Sequence, residues 1–457
     1  MYFQDKLSVV KLLKSWNAVF FLFFFAFRLT AQQELMLHTM SDVWHSNATN
    51  PAFFPEKKKF FIGLPGIGID AAHSSHIAFN DVFVKKGDQT VANFSEIIDR
   101  LAPLNELYFD QRYDIVNLGV RLPGKIMLTA GYANRLSANI VYPKALPQLL
   151  WNGNAPYVGQ TLELGVKADV ADWNEWSIGL AKQIGPLTLG VRGKYLTGIS
   201  SLLTDRNHQS TTVYTSYDIY QLTLETDYAF YSSSIISAID TAGLGVDITV
   251  VDQAKKLFSK NAGKSFDIGV QYKINDRITL DASVLDLGGK IKWDYQANYF
   301  FSKGSYVYEG QTLPGIDFIN GVDSLDFDTK LDTINDIFNF TKTAGEYSTA
   351  LPLRAYFGST FKIGKRWVVG LSGYLNHRDV VGNTYAVGGS VRWKPMPWVS
   401  LGAMYSLNQH SVANMGFHLV LKPGPVQVYF ASDNLLNAFS VKNSSAVNLR
   451  AGISLLL

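Results

Sequence analysis

Apolar and polar residues alternate with a period of two along much of the chain. From Phe266, the apolar positions Ile268, Val270, Tyr272 and Ile274 are separated by Asp267, Gly269, Gln271 and Lys273. After Asn275-Asp276 the alternation resumes, with Ile278, Leu280, Ala282 and Val284 set against Arg277, Thr279, Asp281 and Ser283. Successive side chains of a strand point to opposite faces, so this stretch predicts a hairpin with one apolar and one polar face. The pattern recurs at 353–357, 367–371, 387–393, 399–405 and 415–421.

Tight turns punctuate the pattern at Pro123-Gly124, Ile184-Gly185-Pro186, Asn275-Asp276, Gly364-Lys365, Pro395-Met396-Pro397 and Pro423-Gly424-Pro425. Six hairpins make twelve strands, and a first strand near 60–72 and a last near 447–457 bring the total to about fourteen. Long connections, at about 74–112, 140–160, 200–262 and 295–349, alternate with the tight turns. Short turns at one end and long loops at the other are the layout of a transmembrane barrel, with the short turns periplasmic. A sandwich would turn every 8–12 residues without that asymmetry, and no blade-length repeat marks a propeller. Val447, Leu449, Ala451, Ile453, Leu455 and Leu457 carry one apolar face to the last residue, as suits a strand handed to barrel-assembly machinery. The fold expected is all-β: an antiparallel transmembrane barrel over residues 59–457.

Composition agrees. The chain is 47% hydrophobic and 13% aromatic, with only 17% charged residues. A mean hydropathy of +0.04 is too low for a helical membrane bundle but natural where apolar and polar faces cancel. A net charge of +3 over 457 residues gives no argument for nucleic acid. Cysteines are absent, which excludes thiol chemistry and disulfides.

Lys6, Lys11 and Lys14 precede an apolar run at 18–27, which Arg28 closes. A small residue, Ala31, then stands before Gln32-Gln33-Glu34. That order reads as a secretory signal peptide over 1–31, too short in its apolar core to span ~30 Å of hydrocarbon. Residues 32–58 follow as a periplasmic segment or a plug for the lumen, with Asn50, Pro51, Ala52, Phe53, Phe54 and Pro55 as its stiffest part.

Several strings resemble a family of outer-membrane barrels from Bacteroidota, related in shape to FadL-type fatty-acid transporters and PorV-like secretion proteins. They are Asn50-Pro51-Ala52-Phe53-Phe54-Pro55, Ile62-Gly63-Leu64-Pro65, 176–181, 189–191, 194–198, Asp286-Leu287-Gly288 with Trp293, 432–436 and 448–452. The resemblance implies a FadL-like barrel in the outer membrane of a Gram-negative bacterium. It implies a passive transporter of a small, partly apolar solute, or alternatively a PorV-like scaffold or shuttle working with type IX secretion proteins.

The polar phase of the strands is the expected lumen. Arg192, Lys194, Asp267, Asp281, Arg354 and Arg392 are its candidate solute contacts, although a hydrated interior needs no more than such charges. Gly119, Gly179, Gly190, Gly269, Gly358 and Gly370 lie on the same phase, where relief of crowding or a sideways kink would use them. Phe94, Ile97, Ile98 and Leu101 predict a short amphipathic helix, and Leu331, Ile334 and Phe338 another. Asp323, Asp326, Asp328, Asp332 and Asp336 lack the glycine and closing glutamate of a calcium loop and read as a solvated face. No histidine pair has metal spacing and no Gly-x-Ser-x-Gly elbow occurs, so neither enzyme, metal nor cofactor is expected.

Overall fold

Phe61 pairs with Gly119 on one side and with Leu456 on the other, so the first strand joins the last and the sheet has no free edge. In the computed structural model the described residues run from 35 to 457. They omit 56–57, several positions between 76 and 93, 218–220, 235–237, 241–242, 246–259, 309–338, 380–381, 409–410 and 435–445. The expected signal peptide, the second amphipathic helix and the acidic loop lie outside the described residues.

Fourteen strands close the barrel: β1 (Phe60–His73), β2 (Leu104–Leu122), β3 (Ile126–Pro143), β4 (Lys167–Ile184), β5 (Leu187–Thr215), β6 (Asn261–Lys273) and β7 (Ile278–Trp293), then β8 (Leu353–Ile363), β9 (Trp367–Arg378), β10 (Gly382–Met396), β11 (Val399–Asn408), β12 (Ser411–Leu421), β13 (Val426–Ser432) and β14 (Ala446–Leu456). Each is antiparallel to its sequence neighbour. Closure satisfies the backbone groups that lipid cannot. All six expected tight turns join strands, and they lie together at one end.

The other end departs from expectation. Much of what the sequence assigned to loops is strand, because β2 starts at Leu104, β3 reaches Pro143 and β5 runs to Thr215. Nine to eleven tilted residues cross a bilayer, so the 29 residues of β5 continue well beyond it. There they pair with Leu222–Ser233, which pairs in turn with Ala297–Tyr308. Outside the bilayer neither face must be apolar, so the period-two signal fades there. Two other outer connections, between Arg378 and Gly382 and between Asn408 and Ser411, are short. One wall of the barrel is therefore tall and the other low. The helix expected at Phe94 is present over Phe94–Arg100.

The outer surface is apolar: Ile178, Val191, Phe266, Ile268, Leu371 and Tyr385 are each more than half exposed. Near the tight turns Trp367 stacks on Trp393 with centroids 5.7 Å apart, and Trp398 is also exposed. Indoles at that level belong to the interfacial girdle of a membrane barrel.

Candidate functional site

The barrel is filled by its own N-terminal segment. Leu35–His38 is a turn of helix and Trp44–Ala48 a 3-10 turn, and both are buried inside the sheet. Leu35, Met36, Leu37, Met40 and Val43 pack on Leu285, Tyr356, Tyr374, Met404, Val420 and Tyr429 of the wall. This apolar contact explains why a short segment without a sheet partner is ordered in the lumen.

Polar groups fix its register. The Asn50 side chain accepts the Ala52 N–H at 2.9 Å and donates to the carbonyls of Val270 and Ala282 at 3.3 and 3.2 Å. Asn47 donates to the Phe53 carbonyl at 2.9 Å, and Ser283 donates to that of Thr49 at 2.6 Å. The Trp44 indole donates to the Asn117 carbonyl at 3.1 Å, and Arg121 donates to that of Pro55.

The wall is cut to receive the plug. A Cβ on Gly119 would meet the Trp44 ring; one on Gly190 would meet Pro51, and one on Gly269 would meet Asn50. Gly66 and Gly416 lie in the same way against His45 and Met36. Half of the glycines expected on the inner phase are thus a footprint of the plug. Gly179, Gly358 and Gly370 instead face the wall residues Thr129, Asp281 and Ser390.

Above the plug lies a layer of ion pairs. Asp286 accepts hydrogen bonds from Arg135 at 3.1 Å, Lys194 at 2.7 Å and Arg354 at 2.7 Å. Asp267 holds Arg192 at 2.7 Å and Lys194 at 2.8 Å, and Glu175 lies 3.4 Å from Arg112. Arg192 also donates to the Asn47 carbonyl at 3.1 Å, tying this layer to the plug. Higher still, Arg378 of β9 reaches the far wall, donating to Ser137 of β3 at 3.2 Å and Tyr108 of β2 at 3.1 Å.

An outer tier of buried Trp173, Leu196, Ile291, Trp293, Tyr347 and Leu351 sits over these charges. The Arg135 guanidinium lies 4.9 Å from the Trp173 ring. Beside this tier is a small, partly open recess with one apolar wall (Ala171, Trp173, Leu351, Pro352) and one polar wall that includes Asn139, Asp169 and Arg378.

All six candidate lumen charges point inward, but they do not meet at one place. Arg192, Lys194, Asp267 and Arg354 join the layer around Asp286, whereas Asp281 lies 2.7 Å from His38 of the plug. Arg392 lies 2.6 Å from Asp42 of the plug. The sequence reading missed Glu175 and Arg135, which the period-two phase of β4 and β3 could have given. It missed Asp286 because this residue, at φ +60°, interrupts that phase. Asparagine and aspartate tolerate this left-handed backbone better than most residues.

His38 lies between Asp281 and the Thr49 hydroxyl, 3.1 Å away, in the order of a charge relay. Thr49, however, donates to the Ser46 carbonyl, and both His38 and Thr49 are at most 2% exposed. No substrate can reach that hydroxyl while the plug is seated. Among the described residues no group of three or more acidic or histidine side chains could hold a metal.

A family model described as "Family of unknown function (DUF5723)" matches residues 51–433. The chain belongs to this family. Membership shows neither a Bacteroidota origin nor kinship with PorV-like proteins. No protein with a curated description matches in sequence. Among solved structures, this DUF5723 barrel is similar to the toluene transporter TbuX of Ralstonia pickettii, at 8% identity and a TM-score of 0.43, covering 90% of this chain and 93% of that one. It is similar also to the toluene transporter TodX of Pseudomonas putida, at 11% identity and 0.42, covering 94% and 97%. A FadL homologue of Pseudomonas aeruginosa follows at 9% and 0.39, covering 94% and 96%. Likeness at this level bears on neither solute nor mechanism.

Proposed function

We propose that the protein is an outer-membrane passive transporter of a small, partly apolar solute, with residues 35–55 as its gate. The observation that carries this reading is the two-walled recess above a plugged lumen. Trp173 and Leu351 offer it apolar surface, while Asn139, Asp169 and Arg378 offer hydrogen bonds, a pairing suited to a molecule with one polar end. Below the recess the route is closed by the Asp286 layer and then by the plug, so passage requires the plug to move. The chain shows no nucleotide motif or other means of energy coupling, which leaves diffusion down a gradient. Outer-membrane placement is supported by the apolar belt, the tryptophans near the tight turns and the leader-like residues 1–31.

The scaffold alternative has only the filled lumen behind it, and a gated transporter shares that feature. The deciding experiment is planar-bilayer recording of the full chain and of a form lacking residues 32–58. Current steps that appear on truncation support a pore held shut by the plug. Silence from both forms, shown to be folded, counts against an aqueous route.

A further inference from the structure

Asp42 of the plug lies towards the tight-turn end, and it meets an unusual concentration of positive charge. Arg392 lies 2.6 Å from one carboxylate oxygen, and Lys394 and Lys422 lie 2.8 and 3.3 Å from the other. Lys422 also donates to the Asp42 carbonyl at 3.2 Å, as does Gln427 at 3.1 Å. Gln427 then accepts the Trp44 N–H at 2.9 Å, so one amide measures the position of both plug residues.

All these donors belong to the wall, on β10, β13 and the residue after β12. None of them is carried by the plug. The side chains of Asp42, Lys394 and Lys422 are 30%, 34% and 25% exposed, whereas Trp44, His45 and Ser46 beside them are at most 1% exposed. Solvent therefore reaches Asp42 while the adjoining turn at Trp44–Ser46 is closed.

We propose that Arg392, Lys394 and Lys422 form an oxyanion receptor open to the periplasmic side, and that Asp42 is its resident ligand. Withdrawing the plug strands three cations within a few ångströms of one another, which is costly unless another anion takes the place of the carboxylate. Gate opening is then an anion exchange. The chemistry selects a soluble oxyanion of the phosphate or carboxylate type, because several oxygens can meet the three cations at once, as Asp42 does. Chloride offers one point of contact and serves poorly.

The proposal rests on the plug being a gate, but its test needs no solute and no current. The chain lacks cysteine, so Ser46→Cys places a single thiol on the plug itself, at a position buried while the plug is seated. Maleimide labelling of the folded, full-length variant in maltoside is followed as sodium phosphate replaces sodium chloride at constant ionic strength. The labelling rate rises several-fold and saturates with phosphate, and the rise disappears when Lys394→Gln and Lys422→Gln are added. Equal rates in the two salts overturn the proposal, as does a phosphate effect that survives loss of both lysines. A third arm keeps chloride and adds phosphatidylglycerol to the micelles. Acceleration by the lipid without acceleration by phosphate overturns the soluble ligand. Asp42→Asn guards against misfolded lysine variants: it speeds labelling in chloride, and no change there also counts against the receptor.

Discussion

Trp44 of the plug lies against Gly119 of β2 so closely that hydrogen is the only side chain the space admits. The ring also stacks on Phe61, with centroids 4.7 Å apart and planes 17° from parallel. The sheet and the plug are therefore fitted to each other, and the closed lumen is a property of the wall as much as of the segment inside it.

Gly119→Val should consequently unseat the plug while leaving the barrel closed. Strand geometry tolerates valine well, so the damage is confined to the contact with the indole. Faster labelling of the Ser46→Cys thiol is the expected result, with partial recovery when Trp44→Leu is added. If Gly119→Val labels as slowly as its parent, the seat is looser than the packing implies.

Asp286 should be the costliest single charge to remove. It is fully buried and accepts from Arg135, Lys194 and Arg354, so neutralising it removes the one carboxylate that all three buried cations are seen to meet. Asp286→Asn keeps a residue that accepts the left-handed backbone and isolates the electrostatic loss. Breaking a buried pair costs about 3–5 kcal/mol, to be read as a lower urea midpoint for barrel unfolding. An unchanged midpoint would show that water, not Asp286, solvates these cations.

The barrel was legible because lipid on one side and a polar lumen on the other impose a period of two that no tertiary contact rewrites. The six tight turns and the joining of β1 to β14 followed from that period. Where β5 rises out of the bilayer the constraint lapses, and residues 200–215 read as loop although they are strand. The site was legible in pieces only. Phase alone turned Arg192, Lys194, Asp267 and Arg354 inward, but phase cannot say which charges share a neighbour. Asp286 stayed hidden because its backbone interrupts the alternation. Asp42 and His38 stayed hidden because the plug has no period, and its place is set by glycines on wall strands outside the segment itself.

The anchoring of Asp42 should depend on pH only under acid conditions. Burial raises the carboxyl pKa, but Arg392, Lys394 and Lys422 outweigh it and hold the group well below the usual carboxylate range. A group depressed in the seated state contributes fully above its free value, near 3.9 for aspartate, and loses its contribution as pH falls through the lower, seated value. Access to the Ser46→Cys thiol, corrected for the reactivity of a free thiol, should be flat between about pH 8 and pH 5. It should climb only below about pH 4. A climb beginning near neutrality would assign the pH response to another group.

Arg378 poses the sharpest question about the order of the seals. It crosses the lumen above the ion layer, whereas the plug fills the lumen below, so any solute path meets the two in series. Resistance in series is set by the tighter element, and the plug, seated on glycines and buried over most of its length, is the tighter. Arg378→Gln alone should therefore leave the protein silent in a planar bilayer. In the form lacking residues 32–58, the same substitution should raise single-channel conductance above that of truncation alone, because Ser137 and Tyr108 lose the bar between them. Conductance from Arg378→Gln with the plug in place would reverse this order and make the arginine the principal gate.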